Sequence, residues 1–592
     1  MKDRAAGRAM QTIRAAPSSQ AQSNREIAMH FNESCDLIVV GSGTGGLSTA
    51  VTAHLHGLKV IVLEKENVLG GTSALSGGWL WVPGHPLSEG VDGTNTPETA
   101  REYLMAETGN RFDAERVDAF LSNGRKAIEF FQKHTSVRFM PSPAFPDYHS
   151  EQRGAGKGRS IVTEPIAGSE IGFDIRKLRR PLCEMTFMGL NIGSGSELAH
   201  FQKATRSPKS AIYVALRMAQ YGYHKLRFGR SMRLTNGNAL IARLLKTAFE
   251  QKMDIRTECT VTKLVFEDGA VQGLEVRSLE GSTRIKARKG VVLATGGFSH
   301  NEQLKRELYR HVQNGAAHHA LAAKGATGDG IALARSVGGE LYADVAQPAA
   351  WMPVSLVRRK DGTTGICSHV IDRTKPGIIA VTSNGRRFGN EANSYHDFLQ
   401  DFFRANEGAA DAHAYLVADH RAVRKYGLGY ARPFPIPIGA QIRSGYLKRA
   451  DTIEQLARIC GIDSAGLAGT IVRYNEGAAA AADPEFGKGS TAYNRFQGDP
   501  DHKPNPCLEP IAKGPFYAVK ILASDIGTFA GIKTDGYARV KAADGGIIPN
   551  LYAVGADNAS VMSGTYSGAG TNLGPALTFG YIVGRHAAGV ND

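Results

Sequence analysis

Residues Cys35–Gly78 read CDLIVVGSGTGGLSTAVTAHLHGLKVIVLEKENVLGGTSALSGG. An apolar, β-branched run passes through Gly41, Gly43, Gly45 and Gly46 into an amphipathic stretch, and a second apolar run, KVIVLEK, ends on Glu64 and Lys65. Glycines at this spacing permit a tight turn, close approach of the backbone to a pyrophosphate and close helix–strand packing. The helix that follows offers unpaired N–H groups and a positive dipole end. Glu64 stands about twenty residues beyond the turn, where an acid reaches ribose hydroxyls. Strand, glycine turn, helix, second strand and acid together predict a dinucleotide site.

Three further stretches decide which dinucleotide: GGTSALSGG (Gly70–Gly78), GVVLATGGFSHNE (Gly290–Glu302) and IPNLYAVGAD (Ile548–Asp557). Together with the glycine turn they resemble the FAD-binding pattern of the fumarate reductase and succinate dehydrogenase flavoprotein superfamily. The resemblance implies an α/β fold: a Rossmann-like FAD-binding domain of the glutathione-reductase type, with an inserted α+β catalytic cap. It assigns FAD contacts to Gly41, Gly43, Gly45, Gly46, Glu64, Lys65, Gly71, Thr72, Ser73, Ser76, Gly77, Gly78, Ala294, Thr295, Gly296, Gly555, Asn572 and Leu573. Members with covalent flavin carry a histidine in the loop after the acid, and here that loop offers Thr72 and Ser73. Non-covalent FAD is expected.

A last strand returning from the far end of the chain makes the first domain discontinuous. The expected division is 35–308 with 515–592 for the FAD domain, a helical insert at about 180–233, and 309–514 for the cap. Residues 1–34, rich in Arg, Ala, Ser and Gln, are expected to be a disordered extension, with Met29 a plausible natural start.

The chain of 592 residues has 69 glycines, 42% hydrophobic and 21% charged residues, and a formal charge of +14. The basic residues are dispersed and no nucleic-acid motif appears, so nucleic acid is not an expected partner. Six cysteines without a CxxC pair indicate reduced thiols, a cytoplasmic setting and no metal site. No apolar run approaches the roughly 20 residues of a membrane helix, although the 180–233 insert leaves a peripheral membrane contact, a lid or a subunit interface open.

Near the end of the chain VMSGTYSGAGTNLGPALTFGY (Val561–Tyr581) sets Tyr566 among glycines ahead of a helix. With GGTSALSGGWLWVPGHPL (Gly70–Leu87), FPDYHSE (Phe145–Glu151) and GRRFGNEANSYHDF (Gly385–Phe398), it resembles the 3-ketosteroid Δ1-dehydrogenases, over about Cys35 to Ala588. That resemblance assigns the catalytic positions to Tyr148, Tyr395, Tyr566 and Gly570. The implied reaction removes an α proton and a β hydride from a 3-ketosteroid A ring, the hydride passing to flavin N5 and the electrons to a quinone or similar acceptor.

Such chemistry requires donors that strengthen as an enolate forms. The Tyr566 hydroxyl and Gly570 N–H suit that task, with Tyr395 as the base and Tyr148 stabilising its phenolate. Phe145, Trp351, Met352 and Trp81 are candidates to line a hydrophobic cleft, with ordinary core packing the alternative for each, while His149, His396 and Asp397 are expected to be surface or structural residues. Two departures, Ala569 where the family has proline and Thr571-Asn572 in place of a small-Thr pair, bear on the ring site. Alternatives are desaturation elsewhere on the A ring or of a monocyclic ketone, a fumarate- or enoate-type reductase, and an electron-transfer subunit without its own substrate.

Overall fold

The computed structural model describes residues 31–88 and 93–590. The expected disordered extension falls, up to residue 30, outside the described residues. The strand opening the glycine turn, Glu33–Val40, pairs in parallel with Val60–Leu63 on one side and with Gly281–Leu293 on the other. Gly281–Leu293 in turn pairs in parallel with Ile547–Ala553, and Val60–Leu63 with Asp254–Arg256. Register matters here: Val40 stands opposite both Leu63 and Leu293, and Leu293 opposite Ala553. All four strands therefore stop level, and the loops opening at Gly41, Glu64, Ala294 and Val554 leave one sheet edge together.

The carboxyl edge of a parallel sheet is where open α/β folds bind ligands.

One face of this sheet is covered by Thr44–Leu55, Asn236–Glu250 and the last helix, Leu573–Ala587. The first and last helices pack so closely that a Cβ on Gly580 would meet Ser48 Oγ at 1.9 Å, and one on Gly584 would meet Thr52 Cβ at 2.6 Å. Close-packed interiors leave no room for such a methyl group. The chain's two ends are thereby joined through glycine.

A second, largely antiparallel sheet runs in the order Thr364–Ser368, Ala349–Arg358, Phe516–Thr528, Ala414–Asp419, Ile378–Val381. Its central strand corrects the expected return to the first unit at residue 515. Phe516–Thr528 pairs on both sides within the second sheet, so the chain leaves that sheet only after Thr528. A buried strand reads alike in sequence whichever sheet receives it. A small third sheet, Trp79–Trp81 with Ser160–Thr163 and Phe139–Pro141, supports the cavity floor.

Within the insert, Ser196–Lys203 and Pro208–Phe228 form two helices. Among the described residues no helix is long and apolar enough to cross a membrane.

The turn itself is under tight steric control. A Cβ on Gly46 would lie 2.0 Å from the Gly41 carbonyl oxygen. Gly46→Ala is expected to cost about 1–3 kcal/mol through backbone displacement and to reduce bound flavin, read together as the melting temperature and the flavin-to-protein absorbance ratio.

Candidate active site

A cavity of about 840 Å³ begins at the level sheet edge and extends to the tyrosines. At its first end lie Glu64, Cys259 and Val261, followed by Gly43, Thr44, Gly71, Thr72 and Ser73, then Gly296, Gly555, Asn572 and Leu573. Several of these glycines present open space where a side chain would stand: a Cβ on Gly71 or Gly296 meets nothing nearer than 3.9 Å, and one on Gly555 meets nothing within 4 Å. A backbone-walled channel of this kind fits a long, flat cofactor with a pyrophosphate at its middle.

The acid at its head is oriented by its neighbours. Ser42 donates both its N–H (3.2 Å) and its hydroxyl (2.6 Å) to Glu64 Oε2, and Glu66 N–H donates to Oε1 at 3.0 Å. Burial still pushes its pKa up. Lys65 bonds Asp329 at 2.6 Å, and the Thr44 N–H donates to Ser73 Oγ at 3.0 Å. Of the expected cofactor residues Gly46 alone does not line the cavity; it serves the helix–strand packing described above. Asp557, which the motif contained but no role was given to, is fully buried and accepts from Thr295 N–H, Thr295 Oγ1 and Gly297 N–H.

At the other end Tyr148, Tyr395 and Tyr566 converge from three distant segments. The ring centroids are 5.1 Å apart for Tyr395 and Tyr566, 5.6 Å for Tyr148 and Tyr566, and 5.9 Å for Tyr148 and Tyr395. The Tyr566 loop is fixed by its backbone: Tyr148 N–H and the Tyr103 hydroxyl donate to Ser567 O, and Trp81 N–H donates to Gly570 O. Gly570 has φ +99°, and a Cβ there would strike the Trp79 carbonyl at 2.4 Å. Only glycine brings this amide to the wall, and the Gly570 N–H donates to no acceptor among the described residues. An unengaged donor beside a phenol is the arrangement an oxyanion site requires.

Burial pushes the Tyr395 phenol well above its ordinary range, and the neighbouring Tyr148 and Tyr566 hydroxyls push the same way. Tyr148 and Tyr566 are likewise raised by burial. Beyond Tyr148 lies Tyr493, at 4.5 Å between centroids, and next to it the fully buried Arg373, whose Nη2 has no hydrogen-bond partner. Sequence reasoning missed Tyr493 because no local motif separates it from the other tyrosines.

His149, expected to be a surface or structural residue, is held by two carboxylates. It bridges Glu107 (2.5 Å) and Asp397 (2.8 Å), joining the segment of Tyr148 to the helix Tyr395–Ala405. The two carboxylates raise its pKa to about 11 despite burial. His396 is buried and accepts from Trp351 N–H, and burial lowers its pKa to about 4.

The cleft expectations divide. Phe145 and Met352 line the cavity. Trp351, one residue along the same strand, points the other way, packing on Tyr309 at 4.9 Å and donating to Gln347 Oε1. Trp81 is also excluded: its indole N–H donates to Asp147 at 2.8 Å in the core, and Trp79 takes the cavity position. Leu198, Ala199 and Gln202 bring the insert into the wall.

The glycine channel leading to a buried tyrosine cluster defines a flavin-dependent dehydrogenase acting on CH–CH bonds, with FAD as cofactor. The FAD binding domain family model matches residues 36–573, and the chain belongs to that family. It is 39% identical to 4-oxocyclohex-2-ene-1-carboxylate 5-dehydrogenase of Sinomonas cyclohexanicum, over 94% of each chain. It is 33% identical to 3-oxosteroid 1-dehydrogenase of Mycolicibacterium smegmatis, over 92% of this chain and 96% of that one. Among solved structures, 3-ketosteroid Δ1-dehydrogenase from Sterolibacterium denitrificans in complex with 1,4-androstadiene-3,17-dione matches with a TM-score of 0.86 and 30% identity, covering 95% of this chain and 100% of that one.

Because the folded pKa of His149 lies above its unfolded value, the bridge's contribution is complete below about pH 6.5 and is lost as pH rises through about 11. The melting-temperature gap between wild type and His149→Gln should therefore narrow steadily as pH rises across that window.

Proposed function

We propose that the protein desaturates a cyclic ketone beside its carbonyl, with Δ1-desaturation of a 3-ketosteroid as the leading reading. The single observation carrying it is the convergence of Tyr566 and Tyr395, ring centroids 5.1 Å apart, at the cavity end to which the same loop brings Gly570, whose N–H has no acceptor among the described residues. The ketone oxygen accepts from both donors, and charge developing on that oxygen during α-proton removal strengthens both bonds. FAD, when bound, supplies the acceptor for the β hydride. Tyr395 takes the α proton, and Tyr148 beside it shares the resulting charge or passes the proton onward.

The cavity wall around the tyrosines is mainly apolar, from Trp79, Phe145, Leu321, Met352, Val370 and Ile526, which suits a hydrocarbon ring system and excludes water from the enolate. A monocyclic ketone is the second reading, favoured by the oxocyclohexene carboxylate named for the 39% identical relative. A fumarate-type reductase clamps carboxylates with cations at the reacting carbon, whereas the ring neighbours of Tyr395 among the described residues are the phenols of Tyr148 and Tyr566.

Anaerobic addition of 4-androstene-3,17-dione is expected to bleach the flavin of the wild-type enzyme, and Tyr566→Phe to slow that bleaching about a hundredfold. Bleaching by 4-oxocyclohex-2-ene-1-carboxylate without any by the steroid would transfer the assignment to the second reading. Wild-type rates in Tyr566→Phe would remove the oxyanion role.

Tyr395 acts only after losing a proton from a phenol whose pKa is raised. Consequently kcat/KM should climb with pH by close to tenfold per unit from about pH 7 to 9, and a flat profile would count against Tyr395 as the base.

A further inference from the structure

Two cations line the half of the cavity in front of the tyrosines, Lys375 and Arg495. The acids of the described lining, Glu64, Glu66 and Asp329, all belong to the cofactor half. Lys375 is buried, with 7% of its surface exposed, and its Nζ donates to the carbonyls of Gln497 and Gly498, each at 2.7 Å. An ammonium has three donors, and these carbonyls occupy two. Burial lowers its pKa to about 8, the mark of a cation whose charge lacks full compensation.

Arg495 stands on the short helix Ala492–Gln497, which the stacking of Tyr493 on Tyr148 and of Phe496 on Phe145 (4.8 Å) seats against the cavity. Its guanidinium makes a long hydrogen bond, Nη1 to Gly489 O at 3.3 Å. No carboxylate forms an ion pair with either cation among the described residues. Asp499, near Lys375, is already engaged by Lys425 at 3.0 Å, the Tyr426 hydroxyl at 2.8 Å and Asp501 N–H at 3.0 Å.

A site for a wholly neutral ketone gains nothing from a buried ammonium without a counter-ion, because desolvating that charge is costly unless a partner offsets it. A carboxylate carried into the cavity by the substrate supplies such a partner, and a guanidinium at the mouth suits its planar, two-oxygen geometry. We propose that Lys375 and Arg495 form a carboxylate-binding subsite, making the preferred substrate a cyclic ketone with a carboxylate remote from the ring carbonyl. The inference rests on the ketone-desaturation reading and specifies its substrate class. Two molecular frames carry that chemistry: a monocyclic oxo acid and a 3-oxosteroid with a side-chain carboxylate.

The test uses the flavin-loaded enzyme and two acid–ester pairs, 4-oxocyclohex-2-ene-1-carboxylate with its methyl ester and a 3-oxo-4-ene steroid side-chain acid with its methyl ester. In one pair at least, kcat/KM for the acid is expected to exceed that for the ester by tenfold or more. Arg495→Met should cut this preference about tenfold, mainly through KM, and Lys375→Met should do the same. Because Lys375 also braces the 497–498 backbone, the exposed Arg495 supplies the variant that does not risk folding.

The frame of the preferred pair identifies the source of the carboxylate. Equal flavin reduction by acid and ester in both pairs, or an acid preference untouched by Arg495→Met, overturns the subsite while leaving desaturation standing. A flavin that none of the four ketones reduces overturns the desaturation reading and the subsite with it.

Discussion

The carboxylate of Asp557 ties together two loops that lie far apart in the sequence. Fully buried, it collects the Thr295 N–H, the Thr295 hydroxyl and the Gly297 N–H, so the loop after the strand Gly281–Leu293 is tied to the loop after Ile547–Ala553. Burial, with a smaller push from the Asp329 charge, raises its pKa, and these donors pull in the opposite direction. An ionised acid at this depth is tolerable only when its lone pairs are filled. The same tie fixes where residues 558–572 begin, and with them the height of Tyr566 and Gly570 above the cofactor channel. Replacement by alanine would leave three orphaned donors at the sheet edge.

The tyrosine end is built on the opposite principle. Burial raises the pKa of all three phenols, and at Tyr395 the Tyr148 and Tyr566 hydroxyls push the same way, so the cluster stays protonated. Such a site stores no charge until a polarised ketone arrives, and the low dielectric that makes a phenolate costly also strengthens every hydrogen bond to a forming enolate. His149 holds two of the tyrosine-bearing segments in register through its carboxylate partners, and Arg373 stands behind Tyr493. The His149 ion pairs thus maintain geometry while the three phenols themselves stay neutral.

How far these features were legible in sequence follows from the physical range of each signal. The glycine turn and Glu64 could be read because much of the steric need is local: Gly46 packs against the Gly41 carbonyl inside one motif, although Gly41 itself abuts the distant Ala294 carbonyl. Tyr148, Tyr395, Tyr566 and Gly570 were recognisable only as a set, through family resemblance, and the structure brings that set together. Trp351 and Met352 could not be distinguished, since adjacent strand residues face opposite sides and nothing local says which side is the cavity. The strand Phe516–Thr528 was assigned to the wrong sheet for a related reason, its buried apolar pattern being common to both. Tyr493 and Lys375 act through neighbours more than a hundred residues away, and no spacing rule records such contacts.

The insert changes how the substrate end should be understood. Leu198, Ala199 and Gln202 enter the wall from the helix Ser196–Lys203, whose neighbouring helix is anchored by Arg217 to Glu197 at 3.0 Å and by the Tyr221 hydroxyl to Met188 O. These contacts fasten the insert to itself and leave its inner face to the cavity. Opposite it stand Arg495 and Phe496 on a helix of six residues, too short to hold a shape without tertiary packing. The mouth is therefore framed by two elements that are not part of either large sheet. Ring size and charge selection can vary there without disturbing Gly570, Tyr566 or the cofactor channel, so one mechanism can serve ketones as different as a single ring and a steroid.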